Sequence, residues 1–87
     1  MLMGIVKGMV VSTQKEESMV GSKLLVVQQI DANGKAVGSD EVAVDVLGAG
    51  VGEKVLLCSG SSARTMLANP QMPVDLIVVG IIDTIQC

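Results

Sequence analysis

Apolar residues along this chain come in short runs rich in Val and Ile, separated by Gly, Pro, Asn, Asp and Ser. Runs of that length bounded by turn formers predict β-strands. The first spans residues 3–13, with Ile5, Lys7, Met9 and Val11 on one face and Val6, Gly8, Val10 and Ser12 on the other. Apolar residues on both faces suggest a strand covered on both sides. The polar stretch 14–18 reads as an exposed loop, and 23–30 (KLLVVQQI) as a second strand. Asn33-Gly34 follows as a reversal signal, because both residues tolerate positive φ. Residues 41–47 alternate around Val42, Val44 and Val46, and 54–58 form a short fourth strand. The only plausible helix is 60–68, with a serine able to cap orphan N–H groups and Asn69-Pro70 to stop it. A final strand runs over 75–86, with Gly80 as a bulge or bend.

The pattern therefore predicts an all-β fold. Five strands suit a small, partly open β-barrel, OB-like or otherwise, with one short helix before the last strand. No linker or repeat divides residues 1–87, so one domain is expected. Strand count alone does not choose among OB-like, SH3-like and other small barrels.

Composition sharpens this. Hydrophobic residues make up 49% of the 87 and charged residues 17%, which excludes intrinsic disorder. The mean hydropathy is +0.61. A domain this small buries only somewhat more than ~60% of its unfolded-chain surface. The apolar surplus, left on outer faces of the barrel, points to burial against other subunits. There is no Trp, Tyr, Phe or His. Without His there is no Ser-His-Asp triad, no Cys-His pair and no imidazole ligand. Without aromatics there is no platform for stacking bases, and a net charge of −3 removes the basic footprint of a polyanion binder. No nucleic-acid partner is expected. No apolar stretch reaches the ~18 residues of a transmembrane helix, so no membrane is expected either. The N-terminus does not read as a signal sequence. A cytosolic protein is expected, with Cys58 and Cys87 reduced and Cys58 as core filler.

Three groups of residues invite a chemical reading. Gly48, Gly50 and Gly52 follow a Gly-x-Gly-x-Gly spacing and lead into a strand. A dinucleotide loop needs Gly-x-Gly-x-x-Gly opening a helix, and no P-loop Gly-Lys-Ser/Thr is present. The favoured reading is a tight connection needing positive φ or close backbone approach. For Gly50 it predicts that a β-branched replacement is strained. Gly60, Ser61, Ser62 and Arg64 place hydroxyls and a cation at a helix start, which favours capping, with an anion-binding or pore-lining role as the alternative. Asp45, Asp75 and Asp83 lie in or beside apolar runs without metal-ligand spacing. They are expected to bond backbone, or to pair with Arg64 or a Lys across a subunit interface. No catalytic residue, cofactor or metal is expected.

Taken together, several stretches resemble the vertex proteins of bacterial microcompartments, the EutN/CcmL family. They are residues 4–13, GSKLLVVQ at 21–28, VAVD at 42–45 with GAGVGE at 48–53, GSSAR at 60–64, and PVD at 73–75 with VGIID at 79–83. The resemblance covers nearly the whole chain in order. It implies an OB-like barrel that forms homopentamers capping the five-fold corners of a polyhedral shell. Its partners would be hexameric microcompartment shell proteins, its location the shell within the cytoplasm, and it would not be an enzyme. Gly48, Gly50, Gly52, Gly60, Ser61, Ser62 and Arg64 are the candidates for assembly or pore contacts. Two other classes compete with the vertex role. One is an OB-like nucleic-acid-binding barrel, opposed by the missing aromatics and the acidic balance. The other is a small enzyme or adaptor module, which needs a pocket with convergent polar groups.

Overall fold

A computed structural model of the chain describes residues 1–12, 17, 21–59 and 74–86. Its strands are β1 (Leu2–Met9), β2 (Lys23–Ile30), β3 (Ala36–Asp45), β4 (Lys54–Ser59) and β5 (Leu76–Ile81). They close into a barrel in the order β1-β2-β3-β5-β4. Every neighbouring pair is antiparallel except β3 and β5, which meet in parallel through Val44↔Ile77 and Asp45↔Val78. The all-β, five-stranded barrel expected from the sequence is therefore present. The helix expected at 60–68 lies outside the described residues.

Alternation sends one residue in two to the barrel interior. Val6, Leu25, Val27, Ala43, Val55, Leu57, Leu76 and Val78 fill it, joined by Ala49 from the loop before β4. Each fully buried Val or Leu contributes about 1.5–3 kcal/mol. A second cluster forms on the opposite pleat around Leu24, Val44 and Ile77, with Val10, Cys58, Val74 and Val79 packed against it.

Bulges change how the sequence pattern reads. Val6 pairs with Val27 but Gly8 pairs with Val26, so Lys7 is an extra residue in β1. An extra residue exchanges the two faces. Val6 points into the barrel, whereas Val10 packs with the outer cluster. The single alternation expected over 3–13 is thus broken at Lys7, and β1 ends at Met9. In β5, Leu56 faces Gly80 and Leu57 faces Val78. The bulged residue is therefore Val79, beside the Gly80 singled out from sequence. A Cβ on Gly80 would lie 3.2 Å from Leu56 Cδ1, so the glycine lets β4 and β5 approach closely. β5 ends at Ile81 rather than near residue 86.

β3 begins at Ala36, five residues before the expected strand. Ile30 pairs with Ala36 and Gln28 with Asp40, so residues 37–39 bulge opposite Gln29. Gly38 takes φ +73° there. Gln28 Nε2 donates to the carbonyls of Val37 and Gly38, both at 3.0 Å, and caps the bulge. The β2–β3 turn sits where Asn33-Gly34 predicted it. Only Gly34 has positive φ, while Asp31 Oδ1 accepts from the N–H groups of Asn33 and Lys35.

Candidate functional site

The glycine loop follows β3 and crosses one end of the barrel to β4. Its anchor is Asp45, whose side chain is fully buried. Asp45 Oδ1 accepts from the N–H groups of Leu47 at 2.9 Å and Gly48 at 3.0 Å. Its Oδ2 meets Lys23 Nζ at 3.4 Å, and the same ammonium donates to Ala49 O at 3.2 Å. Burial alone would raise the Asp45 pKa and is the largest single influence. The N–H groups of Leu47 and Gly48, the Lys23 ammonium and the Ala49 backbone together outweigh it and hold the carboxyl below its ordinary value. This is the backbone bonding expected of a buried Asp, and its lysine comes from the same subunit.

The far side of the loop is held as firmly. Gly52 N donates to Val6 O at 2.8 Å, and Val6 N donates to Glu53 O at 2.9 Å. Glu53 N donates to Gly50 O, and the Glu53 carboxylate accepts from Gly50 N. Gly48 and Gly52 adopt φ of +90° and +91°. Gly50 does not lie in that region, which corrects the expectation of positive-φ strain there. Its constraint is the Glu53 carboxylate, with Oε1 3.2 Å from where a Cβ would sit. Gly48 and Gly52 thus serve backbone geometry, whereas Gly50 is limited only by the end of the Glu53 side chain. Gly60, Ser61, Ser62 and Arg64 lie outside the described residues.

Among the described residues, no group of three or more His, Cys, Asp or Glu is placed to hold a metal ion. No helix among them is long and apolar enough to cross a membrane. Cys58 is a free, half-buried thiol. Asp75 and Asp83 are exposed.

Two apolar surfaces stand out on the outside of the barrel. One is a ridge on β3 and its exit, where Val42, Val46 and Leu47 are each about half exposed (52%, 48% and 51%). The other is an open hollow of about 480 Å³ on the β1, β4 and β5 side, lined by Met3, Leu56, Ile81, Ile82, Asp83, Thr84 and Ile85. Sequence reasoning anticipated apolar outer faces without assigning residues to them. The Val42-Val44-Val46 alternation was the available signal for the ridge. The hollow was not readable, because it joins three strands and the chain after β5.

The described barrel thus combines a pinned glycine loop with apolar side chains exposed on its outside. The family model described as ethanolamine utilisation protein EutN/carboxysome matches residues 1–83, and this chain belongs to that family. It is 55% identical over 86 residues to the bacterial microcompartment shell vertex protein PduN of Salmonella typhimurium, covering 94% of each chain. It is 51% identical over 85 residues to the carboxysome shell vertex protein CcmL of Gloeobacter violaceus, covering 98% of this chain and 85% of that one. The solved pentameric microcompartment shell protein GrpN of Rhodospirillum rubrum superposes with a TM-score of 0.90 at 46% identity, over 100% of this chain and 99% of that one.

Proposed function

We infer that this chain is a shell vertex protein, forming homopentamers that cap the corners of a bacterial microcompartment and close its polyhedral shell. The observation that carries the reading is near end-to-end similarity in sequence and fold to shell vertex proteins and to a pentameric shell protein. The half-exposed Val42, Val46 and Leu47 fit a protomer that completes its burial in a ring. This reading stands above a nucleic-acid-binding barrel, for which the chain has no aromatic residue to stack a base.

Residues 1–87 act as one vertex domain. The domain's role is structural and non-catalytic: it supplies curvature, and the enclosed enzymes supply chemistry. Around the ring, each pentamer edge meets hexameric shell proteins of the flat facets. The loop of Gly48, Gly50 and Gly52 belongs to the assembly contacts, where its fixed geometry repeats five times. Native mass spectrometry of the purified protein tests the core of this reading. A pentamer is expected, and a dominant monomer, dimer or hexamer at micromolar concentration overturns it. Co-expression with a hexameric shell protein tests the edge contact, with closed particles expected only when this chain is present.

A further inference from the structure

A cyclic ring is built from a heterologous contact, in which two different surfaces of each subunit meet. The described barrel carries two apolar surfaces of unlike shape. The ridge of Val42, Val46 and Leu47 stands on β3 and its exit. The hollow floored by Met3 and Leu56 and edged by Ile81 lies across β1, β4 and β5. β3 pairs with β2 and β5, whereas Met3 and Leu56 belong to β1 and β4, so the ridge and the floor of the hollow stand on strands that do not pair. The ridge is also pre-organised. Leu47 lies two residues beyond Asp45, which is buried, paired with Lys23 and bonded to the Leu47 N–H. A side chain on a fixed backbone loses little further freedom on binding.

We propose that the ridge of Val42, Val46 and Leu47 on one protomer seats in the Met3–Leu56–Ile81 hollow of the next copy of this chain, and that this contact, repeated around the axis, closes the ring. The proposal rests on the homopentamer reading and names the surfaces that make it. The occupant is a second copy because both halves of the contact are present on one chain, and a solved structural neighbour is itself pentameric. The polar Lys7–Asp40 ion pair, 3.0 Å between Nζ and Oδ2, borders the ridge on β3.

The test uses one variant for each surface. Leu47→Gln with Val46→Asp spoils the ridge, and Ile81→Asp spoils the hollow, at side chains already exposed in the protomer. Circular dichroism checks that each variant folds. Thr84→Trp, which fills the hollow by bulk, replaces Ile81→Asp if that variant unfolds. Each variant is expected to fall from pentamer to monomer in native mass spectrometry. Mixed in equal amounts, they are expected to give a one-to-one dimer and nothing larger, because one contributes an intact hollow and the other an intact ridge. A general loss of stability would not be repaired by mixing. A folded variant that stays pentameric, or a mixture that stays monomeric, overturns the proposal. A wild-type protein that is not pentameric overturns the homopentamer reading instead, so the two failures are distinguishable.

Discussion

Lys23 and Asp45 are register partners on β2 and β3, and their charges meet at 3.4 Å with the carboxylate fully buried. The pair joins the sheet to the glycine loop, since Asp45 accepts from Leu47 and Gly48 while Lys23 donates to Ala49. Removing the carboxylate strands N–H groups and leaves the ammonium over a buried site. Asp45→Ala is expected to cost about 2–4 kcal/mol at neutral pH. The folded-state pKa of Asp45 lies below its ordinary value of 3.8. Its charge therefore stabilises the fold above that value, and the contribution is lost as pH falls through the lower, folded pKa. Urea denaturation of wild type and Asp45→Asn, at one protomer concentration, should show a gap at pH 7 that narrows below about pH 4. A gap unchanged with pH would contradict the assignment.

The three loop glycines are not equivalent. Gly48 and Gly52 have positive φ, and Gly50 does not. An L-residue held in the left-handed region costs about 1–2 kcal/mol. Gly48→Ala and Gly52→Ala should each lower the Tm, although a Cβ at either position meets nothing within 4 Å. Gly50→Ala presses only on the end of the Glu53 side chain, at 3.2 Å, which can swing aside. Its Tm should fall least of the three, as differential scanning calorimetry would record. The reverse order would disprove the backbone argument.

Gly4 presents the opposite case, with ordinary backbone and no room. A Cβ there would lie 2.8 Å from Leu57 Cδ1 and 3.2 Å from the Gln28 carbonyl oxygen. Leu57 is a core residue 1% exposed, so it cannot retreat without disturbing the barrel. Gly4→Ala is expected to destabilise by about 1–3 kcal/mol through overpacking. Gly4→Ala with Leu57→Val should recover part of that loss, and a double-mutant cycle would show it. Strictly additive losses would count against the contact.

The sequence was most legible where side-chain pattern and backbone pairing agree. β2 falls over residues 23–30 as expected, and β4 runs one residue further than expected. The pattern failed where main-chain bonding extends a strand through exposed residues. In β3, residues 36–42 are all exposed, so no alternation marks them, yet pairing with β2 holds them extended. It failed again at Lys7, where one inserted residue exchanged the faces of β1. Gln28 reads as one more polar strand residue, and only the fold shows it capping a bulge nine residues away. The loop glycines were recognisable as backbone devices, but which of them carry positive φ was not.

Cys58 sits on β4 opposite Ile77, half-buried beside the outer apolar cluster, and is free. Cys58→Ala removes one polarisable atom from a site with partial access to solvent. A loss of about 1 kcal/mol or less is expected, below that of a full core truncation. Chemical denaturation checks the figure, and intact-mass analysis after alkylation without reductant should find the Cys58 thiol modified. Complete protection of that thiol in the unfolded protein would show it to be bridged.

A flat sheet of hexamers has no curvature of its own and closes only where five-fold points are supplied. A pentameric barrel supplies them at low abundance, with one heterologous contact repeated within the ring and a second kind of contact along each outer edge. The edge contacts need not be individually strong, because five act together at every corner. Deleting the gene should therefore leave facets that form and corners that do not. Electron microscopy of the deletion strain should show elongated or unclosed shells, and growth should suffer when the enclosed pathway has a volatile or toxic intermediate. The enclosed enzymes should keep their specific activities in lysate, since the function lost is containment. Restoring the chain with its ridge spoiled by Leu47→Gln and Val46→Asp should fail to rescue closure, whereas Cys58→Ala should rescue it. Closed shells of normal shape in the deletion strain, with no second vertex protein present, would refute the vertex role.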